Sequence, residues 1–192
     1  RQAGLFAEAD YRSSAMDTLR LGLRVDRFDS EVREAELSAG MMGSATPVRL
    51  YEQYYGTTQT RNDDHGVSAV LGWDRRLDDA HLMSVNLSRS VRTPDSSEQW
   101  IARSANGDFW VGNPTLDAEV HQQLDLRLLH DSGRLNWSMS LYVNEVDDYI
   151  ERFAEGSADL YRNIDATLFG SELDAALQIN ERWRARVGIA YT

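Results

Sequence analysis

Apolar and polar residues alternate along eight separate stretches of this chain, with the two-residue period of a β-strand. The clearest stretch covers residues 120–128, where leucines at every second position alternate with polar residues, Leu124, Leu126 and Leu128 against Gln123, Asp125 and Arg127. The other stretches cover residues 5–11, 19–26, 67–73, 83–91, 135–144, 169–179 and 183–191. The pattern predicts eight strands that each have one apolar and one polar face.

The connections between these strands are alternately short and long. Short polar turns cover residues 13–17, 77–80, 131–134 and 180–182, whereas longer segments of weak periodicity cover residues 30–61, 92–117 and 152–159. Bacterial outer-membrane barrels have this alternation, because their turns are short on one side of the membrane and their loops are long on the other. A soluble antiparallel sheet with one wet face also alternates in polarity, and it is the alternative that the pattern leaves open.

The composition excludes several classes of function. The formal net charge is -11, from 31 acidic and 20 basic residues, and no basic stripe is present, which argues against nucleic acid as a partner. The chain has no cysteine and no run of 18 apolar residues, so a thiolate metal site and a transmembrane helix are not expected. It begins in strand-like sequence without a signal-peptide pattern and ends inside an alternating run, so we expect it to be part of a longer protein.

The sequence contains no pattern that predicts catalysis. No Gly-x-Ser-x-Gly elbow, phosphate-binding loop or His-Glu-x-x-His motif is present, and no spacing supports a catalytic triad. The adjacent carboxylates at residues 63–64, 78–79 and 147–148 lack the spacing of a calcium loop and are interpreted as solvated turn or lumen charges. We therefore expect neither an enzyme nor a bound cofactor.

Candidate metal ligands occur in the first long connection. Met41 and Met42 lie between two glycines, and thioethers are soft ligands that suit Cu(I). His65, near the end of the same connection, could add an imidazole. The alternatives are methionines that pack on neighbouring loops and a solvated histidine.

The remaining histidines are not expected to form a metal site. His121 and His130 are on one predicted strand but on opposite faces, so they cannot share a metal within that strand. His81 lies beside a tight turn, where we expect it to be solvated.

Four segments together resemble a known family. They read Leu-Ser-Arg-Ser-Val-Arg-Thr-Pro at 87–94, Trp-Val-Gly-Asn-Pro-Thr-Leu-Asp-Ala-Glu at 110–119, Tyr-Val-Asn-Glu-Val-Asp-Asp-Tyr-Ile at 142–150, and Tyr-Arg-Asn-Ile-Asp-Ala-Thr-Leu-Phe-Gly-Ser-Glu-Leu at 161–173. In this order they resemble TonB-dependent outer-membrane receptors, including their Arg-x-Pro and Gly-Asn-Pro-x-Leu-x-Pro-Glu motifs. Ala118 stands where that motif has its second proline. The residues of these segments are most similar to those of the copper-receptor branch of the family.

The resemblance implies an all-β fold, an antiparallel meander of about eight strands that forms part of a transmembrane barrel of about 22 strands closed by a plug. Residues 1–192 would be a partial barrel domain without the plug, the TonB box and the barrel-closing strand. The whole protein would import a scarce ligand across the bacterial outer membrane, copper as the first expectation and a siderophore or another ligand as the second. Its implied partners are the TonB complex, a copper ion or metal chelate, and outer-membrane lipid.

A soluble β-sandwich binding module is the alternative from another class. An isolated piece of a barrel would have two unpaired edges and an apolar outer face, which favour pairing and association with other chains. We therefore expect the isolated fragment to self-associate, to aggregate, or to rearrange into a smaller closed or dimeric sheet.

Overall fold

The computed structural model describes residues 1–33, 35, 46–105 and 107–192, which contain ten strands and two short helices. The strands are β1 (Gln2–Arg12), β2 (Asp17–Glu31), β3 (Arg61–Arg76), β4 (His81–Arg92), β5 (Ala102–Ala105), β6 (Asp108–Val111), β7 (Glu119–Asp131), β8 (Leu135–Glu155), β9 (Ala158–Gln178) and β10 (Arg184–Tyr191). The helices are α1 (Pro47–Tyr55) and α2 (Ser96–Trp100). Within the described residues, neither helix is long and apolar enough to cross a membrane.

Eight long strands form one antiparallel meander, in which each strand pairs with the next long strand along the chain. Their order in the sheet is β1-β2-β3-β4-β7-β8-β9-β10, which confirms the predicted all-β meander of eight strands. The short strands β5 and β6 form a hairpin within the second long connection. Strand β6 also pairs in parallel with the beginning of β9, so this connection is attached to the sheet.

The third long connection differs from the prediction. Residues 152–159 do not form a loop, because β8 and β9 are 21 residues each and continue almost to the turn at Gly156. A bulge between Val146 and Tyr149 shifts the register, and Asp148 there has a positive φ of 60°. An extra residue in a strand reverses the faces of the positions beyond it. The single alternating pattern therefore stops at the bulge although the strand does not.

One face of the meander has an exposed apolar band. A register row across five strands consists of Leu71, Leu87, Leu124, Val143 and Phe169, each between 40% and 58% exposed. The next row toward the long connections is polar in its centre and contains Arg89, Gln122 and Glu145. An exposed band of aliphatic side chains that ends at a polar row is typical of the lipid-facing side of a membrane barrel.

The buried apolar residues lie at the end of the sheet that has the long connections. One cluster consists of Leu50, Tyr51, Trp100, Val111, Ala158 and Leu160, and a second of Leu116, Ile150 and Tyr161. These residues come from both helices, from the hairpin of the second connection and from the extended ends of β8 and β9. The long connections therefore pack against one another and form a core of their own.

Candidate functional site

An ion pair joins the two ends of the second long connection. Arg92, the last residue of β4, donates from Nε and Nη2 to the two carboxylate oxygens of Glu119, the first residue of β7, at 2.6 Å each. The Glu119 side chain is only 2% exposed. Bidentate pairs of this kind combine charge with fixed geometry. The 26 residues between the two strands are thus attached to the sheet at their base.

Glu119 also accepts hydrogen bonds from β7 and β8. The backbone N–H of Ile150 donates to Oε1 at 2.8 Å, beyond the bulge of β8. His121 Nε2 lies 2.9 Å from Oε2, and the Nδ1 of the same ring lies 3.0 Å from Asn144 Nδ2. A buried carboxylate is stable only when its oxygens are paired or hydrogen-bonded. Here Arg92, Ile150 and His121 supply those partners.

Helix α2 is held over this ion pair by a capping box. Asp95 accepts from the backbone of Ser97 and Glu98, and the Glu98 carboxylate accepts from the backbone of Asp95. Arg92 donates to the same Glu98 carboxylate at 2.8 Å. A reciprocal cap fixes the beginning of a short helix that would not be stable by itself. Arg92 therefore sets the position of α2 as well as that of β7.

Two asparagines of the family-like segments bind backbone rather than ligand. Asn113 donates to the Tyr161 carbonyl at 3.2 Å and accepts from the backbone and hydroxyl of Thr115. Asn163 donates to the carbonyls of Asp117 and Asp148 and accepts from the Asp117 backbone. The motifs in which these residues occur thus have a structural role, which is to attach the second connection to β8 and β9.

Helix α1 contributes two tyrosines to the packed end. Tyr51 donates to the Trp100 carbonyl at 2.5 Å, and Tyr55 donates to the Val111 carbonyl at 2.9 Å and accepts from the Tyr161 backbone. Positions four apart share one face of a helix. Burial raises the pKa of both phenols to about 12, since the charged phenolate is disfavoured away from water. Both side chains are therefore neutral donors at ordinary pH.

A cavity of about 420 Å³ lies between α2 and the ends of β2 and β3. Gln99 and Trp100 line it, and among the described residues Gln99 Nε2 and Trp100 Nε1 are buried donors without a hydrogen-bond partner. The other Gln99 amide atom accepts from Ser30 at 2.7 Å, which fixes the orientation of the amide. Both donor atoms are shielded from solvent, so the cavity does not expose them.

The predicted metal ligands are not brought together within the described residues. Met41 and Met42 lie outside the part of the chain that the structure describes. His65 is an exposed residue of β3, in register with Arg27 and on the face that carries the apolar band. No group of three or more histidine, aspartate or glutamate side chains in the described ranges could hold a metal ion. His65 as a ligand stays a prediction.

Sequence reasoning missed one pair of histidines. His81 and His130 are partners in the β4–β7 register, and His130 Nδ1 lies 3.0 Å from His81 Nε2. The two residues are 49 positions apart, so no local spacing indicates the pair. Only the register, counted from the Arg92–Glu119 end of the two strands, could have predicted it.

A family model described as "TonB dependent receptor-like, beta-barrel" matches residues 1–192. No curated protein matches the chain. Among solved structures, the copper transporter OprC has a TM-score of 0.83 at 24% identity, over 99% of this chain and 29% of that one. The FrpB iron transporter of Neisseria meningitidis has a TM-score of 0.67 at 14% identity, over 99% of this chain and 25% of that one. The siderophore receptor PirA of Pseudomonas aeruginosa has a TM-score of 0.68 at 15% identity, over 99% of this chain and 34% of that one. The chain thus spans about a third or less of the length of these structures, and at such identities the likeness shows the fold.

Proposed function

This chain belongs to the TonB-dependent receptor β-barrel family, and from that premise we propose that it is part of the wall of a transporter that imports copper. Barrels of this family are located in the outer membrane of Gram-negative bacteria. The expectation that the protein is not an enzyme agrees with membership of a receptor family. Outer-membrane lipid is then the partner of the exposed apolar band described above.

The observation that supports copper as the ligand is the structural similarity of the chain to one solved structure. The TM-score with the copper transporter OprC is 0.83, whereas iron, heme and siderophore receptors of the same fold reach 0.52 to 0.68. The charge of the chain supports a cationic ligand, since the formal net charge is -11. At the loop end, burial and the negative charges of Asp117, Asp165 and Asp147 raise the pKa of Asp148. A negative entrance raises the local concentration of cations.

The place of the chain in the whole protein is part of this proposal. Its 192 residues would supply adjacent strands of the barrel, and other parts of the receptor would supply the plug, the TonB box and the closing strand. The TonB complex would act through those other parts. As an isolated piece the chain would self-associate, because one side of β1 and one side of β10 have no strand partner among the described residues.

Met41 and Met42 are the proposed copper ligands of the first long connection, with His65 as a third. The test is copper binding and copper accumulation by the full-length receptor, compared with a receptor that carries Met41→Leu and Met42→Leu. Met16→Leu is the matched control, because Met16 lies in the turn at the opposite end of the sheet. We expect the double variant to lose copper binding and the control to retain it. Copper binding that survives in the double variant would remove the two methionines from the site.

An oxygen-rich metal chelate is the second candidate ligand. The cavity at α2 favours it, because Arg1, Arg33 and Arg61 line it and guanidinium groups suit the anionic oxygens of such a chelate. The same uptake experiment with a ferric siderophore separates the candidates. Uptake of the chelate without uptake of free copper would replace the first proposal by the second.

A further inference from the structure

Two histidine rings meet across adjacent strands at the turn end of the sheet, far along the strands from the packed loop end. His81 is the first residue of β4, and its register partner His130 is the last but one of β7. The distance between His81 Nε2 and His130 Nδ1 is 3.0 Å, and the ring planes are tilted by 41°. Both residues lie beside short turns, and the His81 side chain is 34% exposed. The pair is thus partly exposed.

A carboxylate fixes the tautomer of the first ring. Both oxygens of Asp78 lie 2.9 Å from His81 Nδ1. The backbone N–H groups of Ala80 and His81 donate to Asp78 Oδ1 and hold the carboxylate in place. Because a carboxylate only accepts, Nδ1 of His81 carries the hydrogen and Nε2 carries a lone pair. A carboxylate behind an imidazole is the usual arrangement around metal-binding histidines.

A tryptophan fixes the second ring. Trp137 of β8 is the register partner of His130, and the two rings are stacked with centroids 5.7 Å apart and planes 21° apart. The next apolar row toward the loop end consists of Met83, Leu128 and Met139. The pair therefore lies where the lipid-facing band ends, with a rigid aromatic neighbour on one side and turns on the other.

We propose that His81 and His130 bind one Cu²⁺ ion, with water in the remaining coordination positions. A metal about 2.0–2.1 Å from each of two nitrogens that are 3.0 Å apart would have them at an angle of roughly 95°. That angle fits neighbouring positions of a tetragonal Cu²⁺ site better than a tetrahedral Zn²⁺ site. Binding needs no change of oxidation state. His130 moves its proton from Nδ1 to Nε2, so that both facing nitrogens present lone pairs.

This site is independent of the proposed transport of copper. It lies at the short-turn end of the sheet, whereas the connection that contains Met41 and Met42 in the sequence leaves β2 and enters β3 at the other end. It could exist in a receptor for any ligand. Failure of the transport proposal would therefore leave it unaffected, and the reverse also holds.

The experiment is a titration of the full-length receptor in detergent micelles with Cu²⁺, followed by tryptophan fluorescence, which bound Cu²⁺ quenches. The part of the quenching that is lost in the Trp137→Phe variant comes from Trp137, and it therefore reports on this site. We expect His81→Gln and His130→Gln to abolish that component. Asp78→Asn should weaken binding by about 10-fold or more, because it removes only the orienting carboxylate. Asp79→Asn is the matched control in the same turn and should leave the titration unchanged, since within the described residues it is Asp78, and not Asp79, that contacts the His81 ring.

Three results would overturn the proposal. Quenching of the Trp137 component in both glutamine variants would show that the imidazoles are not ligands. Equal weakening by Asp78→Asn and Asp79→Asn would attribute the effect to turn charge alone. If a glutamine variant does not fold, nitrogen hyperfine structure in the Cu²⁺ electron paramagnetic resonance spectrum decides. The proposal expects a signal from two imidazole nitrogens in the wild-type spectrum and a change of that signal in Asp78→Asn. Absence of the signal, or a signal that Asp78→Asn leaves unchanged, would reject the site.

Discussion

Arg92 and Glu119 are register partners that close the base of the second long connection, with two contacts of 2.6 Å between the guanidinium and the carboxylate. The two residues come from two separate motifs, one at the end of β4 and one at the beginning of β7. Their contact explains why these residue types occur at these positions. A packed loop domain above a lipid-facing band needs a rigid joint, and a buried bidentate ion pair supplies one.

Substitution of Arg92 by methionine should release this joint. It leaves the Glu119 carboxylate buried without its cation, which costs about 3 to 5 kcal/mol for a fully buried pair. The cost here should be about 2 kcal/mol, because the Arg92 side chain is 42% exposed. Hydrogen exchange of the Ile150 amide, which donates to Glu119, should then be roughly 30-fold faster.

The control for this prediction is Arg103→Met. Arg103 is exposed on β5 within the same connection and forms no ion pair among the described residues. Its replacement should leave the Ile150 amide unchanged. Equal acceleration in both variants would mean that Arg92 acts through general charge rather than through its contact with Glu119.

The sequence predicts the strands and their faces well, because lipid and water on opposite sides of a wall require a strict two-residue period. Leu124 and Gln123, for example, are assigned to their correct faces by alternation alone. The same argument fails beyond Val146, where the bulge at Asp148 reverses the pattern within an unbroken strand.

The packed loop end is less predictable, because its contacts are long-range and follow no period. Thr46 and Pro47 are the N-cap and first position of α1, a start signal that the sequence contains. Nothing in that signal indicates that Tyr51 packs on Trp100, which is 49 residues away. The His81–His130 pair was missed for the same reason, since only the register of two strands brings these rings together.

The buried tyrosines predict a response of the loop end to alkaline pH. Burial places the pKa of Tyr51 at about 12 in the folded protein, above the ordinary value of 10. The folded state therefore keeps a proton that the unfolded state releases, so this contribution is complete below pH 10 and is lost as the pH rises to about 12. Its size is on the order of 3 kcal/mol.

Tyrosinate absorbance measures this effect directly. The full-length receptor should show a late rise near pH 12 that coincides with faster proteolysis of the long connections. Tyr51→Phe together with Tyr55→Phe should remove the late rise. A late rise that persists in the double variant would assign it to other tyrosines.

Gly112 should tolerate no side chain. A Cβ at this position would lie 2.7 Å from the Gln99 carbonyl carbon and 2.8 Å from the Trp100 nitrogen, both of them backbone atoms of α2. Gly112→Ala must therefore displace α2 from β6, at a cost of about 1 to 3 kcal/mol. The cost should appear as faster hydrogen exchange of the Gly112 amide, which donates to the Ile101 carbonyl at 2.7 Å.

Gly107→Ala separates steric contact from backbone strain in the same connection. Gly107 has a φ of +89°, and a Cβ added there would have no atom of the described residues within 4 Å. Its replacement should cost about 1 kcal/mol through conformation alone, and the position of α2 should not change. If hydrogen exchange of the backbone amide at position 112 becomes faster to the same extent in both variants, close packing at Gly112 is not the cause.

Leu141 and its neighbour Ser140 should respond in opposite ways to a positive charge, since adjacent residues of β8 lie on opposite faces. Leu141 is on the apolar face, between the rows of Val143 and Met139, whereas Ser140 faces the lumen side in register with Arg127. Lysine at the centre of a lipid-facing band costs about 2 to 4 kcal/mol, but lysine in a water-filled lumen costs little. Leu141→Lys should therefore lower the urea midpoint of the receptor folded in lipid vesicles, and Ser140→Lys should leave it nearly unchanged.

The soluble-sandwich alternative predicts no such dependence on lipid, because Leu141 is already 38% exposed to solvent. A Leu141→Lys receptor that is as stable in vesicles as the Ser140→Lys receptor would show that this face of the meander does not contact the membrane.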